Sequence, residues 1–184
     1  NLTSVNIGTS VASIGQYSFA QCTKLTSINI PNSVTKLGRG CFDTCSGLKS
    51  ITIPNSVTNI GYGAFSQCIE LREITIPSSV TEIGEHAFNR CDMLSKITCE
   101  SATPATSYDN SFTGITTTTI LNIPKGSKNA YASATGWSNF KNIVEFSLIP
   151  EYTITYIVDG KEWYSEKIEQ GAEIPTIDSP SKEG

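Results

Sequence analysis

The sequence predicts a β-rich repeat solenoid built from right-handed coils of 23 residues, with one strand per coil stacking into a parallel sheet. A helical cap is expected at its C-terminal end, followed by a partial β-hairpin module. Leu2, Leu25, Leu48, Leu71 and Leu94 fall at an unbroken spacing of 23. Phe19, Phe42, Phe65 and Phe88 keep that spacing, as do Cys22, Cys45, Cys68 and Cys91, and also Gly15, Gly38, Gly61 and Gly84. Four residue types held in phase over roughly 100 positions mark a stacked array, in which each unit buries its apolar edge only against its neighbours.

Each position of the unit has a physical reason. In Leu25-Thr26-Ser27-Ile28-Asn29-Ile30 the apolar Ile28 and Ile30 alternate with polar neighbours, as a strand with one buried face requires. Pro31, Pro54 and Pro77 follow directly, where a missing N–H ends the ladder without breaking its middle. A second apolar pair, such as Val57 and Ile60, faces the same core from the other side of the coil. Gly61 then stands where the chain turns and where a positive φ costs glycine least. The Ala64-Phe65 step returns the chain, and its ring is expected to stack on the phenylalanines above and below. Each buried Leu, Ile or Phe is worth roughly 1.5–3 kcal/mol, so these ladders should hold most of the stability.

The unit Leu-x-x-Ile-x-Ile-Pro-x-Ser-Val-x-x-Ile-Gly-x-x-Ala-Phe-x-x-Cys, with Pro-Asn-Ser-Val-Thr at 31–35 and again at 54–58, resembles the BspA-like class of bacterial leucine-rich repeats over residues 1–146. The resemblance implies a leucine-rich-repeat solenoid, extracellular display, adhesion or binding of host proteins, and no catalytic residue.

Beyond residue 100 the coils become irregular. Residues 101–118 read as an expanded coil, and Phe112 with Ile120-Leu121-Asn122-Ile123-Pro124 restores the phase one residue late, which predicts a sixth strand. Ser127 is a candidate N-cap for a short helix carrying Ala130, Tyr131 and Ala134, with Gly136 as its C′ stop. Trp137, Phe140, Ile143, Val144 and Phe146 complete a segment that resembles the terminal cap of the same family. Residues 147–151 read as a linker stiffened by Pro150. Tyr152, Ile154, Tyr156 and Val158 then alternate with polar residues up to Asp159-Gly160, a strong hairpin signal, and a second strand runs through Trp163, Tyr164 and Ile168. The pattern resembles the small β-grasp repeats of bacterial surface proteins related to the internalin B-repeats, so 152–184 is expected to be a truncated module of that kind. The chain opens within a repeat at Asn1-Leu2-Thr3, and a preceding signal segment is expected.

Composition limits the function. A net charge of −4 with both signs interspersed offers no concentrated field for a polyanion, so nucleic acid is not an expected partner. No run of 18 apolar residues is present, and no membrane-inserted helix is expected. His86 is the lone histidine and shares a turn position with Tyr17, Gly40 and Gly63, which makes an exposed coil residue the plainest reading. Glu70, Glu73, Glu82 and Glu85 occupy variable positions of one coil and read as a solvated face. With no nucleophile elbow, phosphate loop or EF-hand pattern, neither an enzyme nor a cofactor is expected. The four periodic cysteines should stack about 4.8 Å apart with parallel side chains, poorly aimed for a sulfur–sulfur bond, and so act as small apolar residues. A Cys41–Cys45 link is the alternative. With no Cys-x-x-Cys present, metal binding is not expected.

Binding remains. The outward positions of the strand ladder are Ser4 and Asn6, Ser27 and Asn29, Ser50 and Thr52, Glu73 and Thr75, Lys96 and Thr98, then Asn122. Such a polar, nearly flat stripe suits contact with a protein or glycan of a host or neighbouring cell, although a merely solvated sheet face has the same composition. The expectation is a monomeric, secreted or surface-attached bacterial binding module; the alternative is a spacer that displays another domain away from the cell wall.

Overall fold

The computed structural model describes residues 2–115, 117, 119–147, 151–158 and 161–169. It divides into two compact units, Asn1–Phe146 and Ser147–Gly184. The first is a β-solenoid with two parallel ladders. One ladder comprises Ser27–Asn29, Ser50–Thr52, Glu73–Ile76, Lys96–Cys99, Ile120–Pro124 and Asn142–Phe146, with Asn6 bridging to Asn29 ahead of it. Its sheet pairing runs in two stretches, Ser27–Asn29 with Ser50–Thr52, and Glu73–Ile76 through to Asn142–Phe146. The register is set by the repeat: Ile28 pairs with Ile51, Ile74 with Ile97, and Ile97 with Leu121, one residue late as the sequence predicts. The second ladder comprises Ser13–Ile14, Lys36–Leu37, Asn59–Ile60 and Glu82–Ile83, and Thr106 bridges onto Glu82.

Between the ladders lies one continuous core of the recurring Leu, Ile, Val, Phe and Cys side chains. Phe19, Phe42, Phe65, Phe88 and Phe112 form a stack with centroids 5.4 to 5.6 Å apart and planes within 11° of parallel. The turn that carries them is stitched along the solenoid axis, because Phe19, Phe42 and Phe65 each donate a backbone N–H to the carbonyl of Cys41, Ala64 and Ala87 in the next coil. Two flanking positions per coil do the same from left-handed backbone: Tyr17 and Gly40 donate to Arg39 and Tyr62, and Gln21 and Thr44 to Asp43 and Ser66. Left-handed φ at these positions aims successive N–H groups along the axis.

The glycine column serves a purpose other than the expected one. Gly15, Gly38, Gly61 and Gly84 are not in the left-handed region; φ values between 53° and 58° occur two residues later, at Tyr17, Gly40, Gly63 and His86. A Cβ at Gly61 would stand 2.8 Å from the Leu37 carbonyl oxygen, and one at Gly84 would stand 2.5 Å from the Tyr62 nitrogen. Gly38, Gly61 and Gly84 are required because adjoining coils touch there, backbone against backbone.

The cap is only partly helical. Its helix, Lys128–Ser133, ends at Ala134. Gly136, at φ 77°, starts the 3₁₀ turn Trp137–Asn139 instead of closing that helix. Ser127 precedes the helix, but its hydroxyl donates back to the Pro124 carbonyl and makes no capping bond. Trp137 and Phe140 end the ring stack, tilted at 48° and edge-on at 72° against Phe112, and Trp137 Nε1 donates to the Ala105 carbonyl at 2.8 Å. Ile143, Val144 and Phe146, expected within the cap, lie on a further ladder strand, Asn142–Phe146, paired in parallel with Ile120–Pro124.

The second unit contains an antiparallel pair, Glu151–Val158 with Lys161–Glu169, irregular between Tyr156 and Ile157. Its first strand begins at Glu151, inside the segment expected as linker. The Asp159-Gly160 turn, residues 148–150 and the expected β-grasp continuation over 170–184 lie outside the described residues.

Candidate functional site

Because side chains alternate along a strand, burying Ile51, Ile74 and Ile97 turns Ser50, Thr52, Glu73, Thr75, Lys96 and Thr98 outward. These six line one shallow depression of about 360 Å³ on the ladder face. Ser27 and Asn29 continue the stripe in register with Ser50 and Thr52, outside that depression. Asn122 continues it at the other end, beside Thr98. Lys96 Nζ lies 3.3 Å from Glu73 Oε2 across the ladder. Among the described residues, Ser27, Asn29, Ser50, Thr52, Thr75 and Thr98 make no side-chain hydrogen bond.

The hydroxyls beside the second ladder are engaged. Ser33, Ser56 and Ser79 donate to the carbonyls of Val11, Val34 and Val57, and Thr35, Thr58 and Thr81 to those of Ala12, Thr35 and Thr58. Beside the first ladder Ser95 and Thr119 likewise donate to the Arg72 and Leu94 carbonyls, so hydroxyls flanking the strands join coils on both sides, whereas the outward hydroxyls on the first-ladder strands face solvent.

Sequence reasoning missed two features of the surface. Ile120 pairs with Lys96 and Val144 with Asn122, so the ladder face gains an apolar end, with these two side chains 39% and 48% exposed. The phase shift after residue 100 could have located Ile120, whereas Val144 required knowing that the cap adds a strand. The second feature is His86, which is half-buried rather than exposed. Its ring meets Tyr62 edge-on at 5.5 Å and its Nε2 lies 3.2 Å from Asn110 Nδ2.

The cysteines are free thiols. Cys45, Cys68 and Cys91 each donate to the carbonyl of the phenylalanine in the preceding coil, Phe19, Phe42 and Phe65, at 3.0 to 3.3 Å. Burial pushes the thiols of Cys41, Cys45, Cys91 and Cys99 up to about 12 and raises Cys68 as well. Thiols held protonated in this way are packing groups with a weak donor, poor nucleophiles and poor metal ligands. No group of three or more His, Cys, Asp or Glu that could hold a metal exists among the described residues. Nor is any helix among them long and apolar enough to cross a membrane.

A family model described as the BspA type leucine-rich repeat region, in 6 copies, matches residues 1–104 and 35–159. The chain belongs to this family. A solved leucine-rich cell surface protein from Faecalibacterium prausnitzii superposes on the BspA-type chain with a TM-score of 0.63 at 29% identity, covering 71% of this chain and 34% of that one. The pneumococcal vaccine antigen PcpA gives a TM-score of 0.60 at 16% identity, over 80% of this chain and 42% of its own, a likeness of fold. The chain therefore spans less than half the length of either structure. No curated protein matches it.

Proposed function

We propose that this chain is a non-catalytic, monomeric binding or adhesion module displayed at a bacterial cell surface, which presents its first-ladder face to a host or neighbouring-cell protein or glycan. The observation that carries this reading is that the outward hydroxyls and amides of Ser27, Asn29, Ser50, Thr52, Thr75 and Thr98 on the first-ladder strands are unengaged, whereas hydroxyls flanking the strands, such as Ser33, Ser56, Thr58 and Ser95, are bonded to backbone. A groove of uncommitted polar groups at strand spacing suits a partner that supplies many hydrogen bonds. The similar F. prausnitzii protein is named as a cell surface protein, which favours an extracellular setting.

Replacing Glu73 and Lys96 together by tryptophan fills the depression while disturbing only an exposed ion pair, worth about 0–1 kcal/mol. Adhesion to surfaces coated with purified matrix proteins is expected to fall at least tenfold while the unfolding midpoint stays close to the parent's. Unchanged adhesion at unchanged stability removes the ladder face from consideration.

The separate hairpin unit favours a second reading, in which a β-grasp repeat of the internalin type follows the solenoid and the whole serves as a spacer. In that case the ladder variant leaves adhesion of the full-length protein intact, and shortening the solenoid by one coil alters it.

A further inference from the structure

On the turn face, away from both ladders, the geometry points to a second binding site: a subsite for a neutral oligosaccharide lying along the solenoid axis over Gly63, between the Tyr17 and His86 side chains. A depression of about 310 Å³ opens there, near the small end of the roughly 300–1,000 Å³ typical of small-ligand sites. Tyr17, Gly40, Gly63 and His86 occupy the same position of successive coils; the Tyr17 ring lies across Gly40, where a Cβ would stand 2.3 Å from Tyr17 Cε1, so Gly63 is the bare backbone between the Tyr17 and His86 side chains. A Cβ on Gly63 would meet nothing closer than Ser66 Cβ at 3.7 Å, which makes this the open part of the floor.

The walls are braced. Arg39 Nε donates to the Tyr17 hydroxyl at 3.0 Å, and its guanidinium carbon lies 4.3 Å from the centroid of the Tyr62 ring. Tyr62 in turn meets His86 edge-on. Asn110 Nδ2 donates to Glu85 at 3.0 Å and lies 3.2 Å from His86 Nε2. His86 Nδ1 and Asn110 Oδ1 are both buried with no hydrogen-bond partner among the described residues. Tyr17 and Tyr62 remain 50% and 42% exposed although they are held in place. Rigid aromatic surface of this kind binds at a low entropic cost.

The remaining groups select the chemistry. Asp43 and Asn89 stand two coils apart at one repeat position, with Ser66 between them and Gln67 beside it. Coils repeat at about 4.8 Å, close to the length of one sugar unit, so each coil offers a hydrogen-bonding group to one ring of a linear glycan. No lysine or arginine lines the depression, which disfavours an anionic ligand. The place a cationic ligand would take against Tyr62 is already filled by Arg39. With Arg39 over one face of Tyr62, the half-exposed Tyr17 ring for the C–H faces of sugars, together with amides and a carboxylate for their hydroxyls, leaves a neutral saccharide as the best match. The site does not depend on the ladder reading above, since it shares no residue with it.

The test is saturation-transfer NMR titration with maltohexaose and chitohexaose, each against its monosaccharide. Saturable binding of at least one hexamer is expected, with a Kd of about 0.1–5 mM, at least fivefold tighter than the monosaccharide because several coils are spanned. Gly63→Tyr fills the floor in a backbone conformation that Tyr17 and His86 already hold in sibling coils, and is expected to weaken binding at least tenfold with an unchanged circular dichroism spectrum. Tyr17→Ala, an exposed truncation, is expected to do the same and decides the matter should Gly63→Tyr not fold. The Glu73 and Lys96 double variant should bind as the parent does. The proposal is overturned by no saturable signal from either hexamer at 10-fold excess over that Kd range, by full binding in Tyr17→Ala, or by binding lost only in the ladder variant.

Discussion

Replacing Phe65 by alanine tests the physical basis of the solenoid most directly. Phe65 is wholly buried, and its ring stacks on Phe42 and on Phe88 with centroids 5.4 Å apart and planes 11° from parallel on both sides. Truncating a core phenylalanine costs about 3–5 kcal/mol. Each stacked pair adds about 0.5–1.5 kcal/mol beyond area, and Phe65 loses two, which puts the expected cost near the top of that range, about 5 kcal/mol. Phe19 is the internal control: it is half-buried and stacked on one side only, 5.5 Å from Phe42, so Phe19→Ala should cost about 2 kcal/mol. Urea unfolding followed by far-UV circular dichroism reads both. With a slope on the order of 2 kcal/mol per molar, the midpoints should fall by roughly 2.5 M and 1 M. Since each coil touches only its neighbours, the Phe65 variant should also lose cooperativity, with the coils on either side melting separately. Equal costs for the two variants, or a loss under about 1 kcal/mol for Phe65→Ala, would falsify the claim that a continuous ring stack carries the core.

Other expectations follow from the same geometry. Gly61→Ala should destabilise by about 1–3 kcal/mol in spite of its ordinary φ, since the new methyl meets the Leu37 carbonyl, whereas Gly8→Ala, with nothing within 4 Å, should change the melting temperature by less than a degree or two. Ellman's reagent at pH 8 should titrate one thiol, the half-buried Cys22, and all six only after denaturation. In the unfolded chain the buried thiols ionise near their ordinary value of 9.0, but in the folded chain Cys41, Cys45, Cys91 and Cys99 hold their protons up to about 12. Their contribution to stability is therefore complete below pH 9 and is lost between pH 9 and 12, as unfolding comes to release protons that folding retains. Chemical denaturation across that window should show the loss, and replacing Cys45, Cys68 and Cys91 by alanine should shrink it.

The architecture was legible because the repeat announces it many times over. A single Ile28 says little, but Ile28, Ile51, Ile74 and Ile97 in phase fix strand, register and buried face together. What was not legible depends on contacts between coils. The glycine column looks the same in sequence whether it serves a left-handed turn or a close backbone approach, and only the 2.5 to 2.8 Å distances choose between them. Val144 reads as one more apolar cap residue until Asn142–Phe146 is seen paired to Ile120–Pro124. The stripe of Ser27, Asn29, Ser50, Thr52, Glu73, Thr75, Lys96, Thr98 and Asn122 could be placed on one face by alternation alone. That its hydroxyls are unengaged while flanking ones such as Ser79 and Ser95 are bonded could not be read, because that rests on which hydroxyls meet a carbonyl.

The turn face shows how a periodic fold makes room for a specific surface. At the position shared by Tyr17, Gly40, Gly63 and His86 the backbone holds φ between 53° and 58° whatever the residue, because the inter-coil hydrogen bonds beside it demand that conformation. Left-handed backbone costs a residue with a side chain roughly 1–2 kcal/mol, so glycine is the least costly occupant, and Gly40 and Gly63 are what the fold alone would favour. Tyr17 and His86 depart from that preference. Their rings recover part of the cost through Arg39, Tyr62 and Asn110, and in doing so they become a braced wall on either side of an open floor. An array this regular has few places where one coil differs from the next without damage to the stack. Positions that point away from the core and tolerate both glycine and an aromatic ring are such places, and the sharpest differences between coils of this chain stand there.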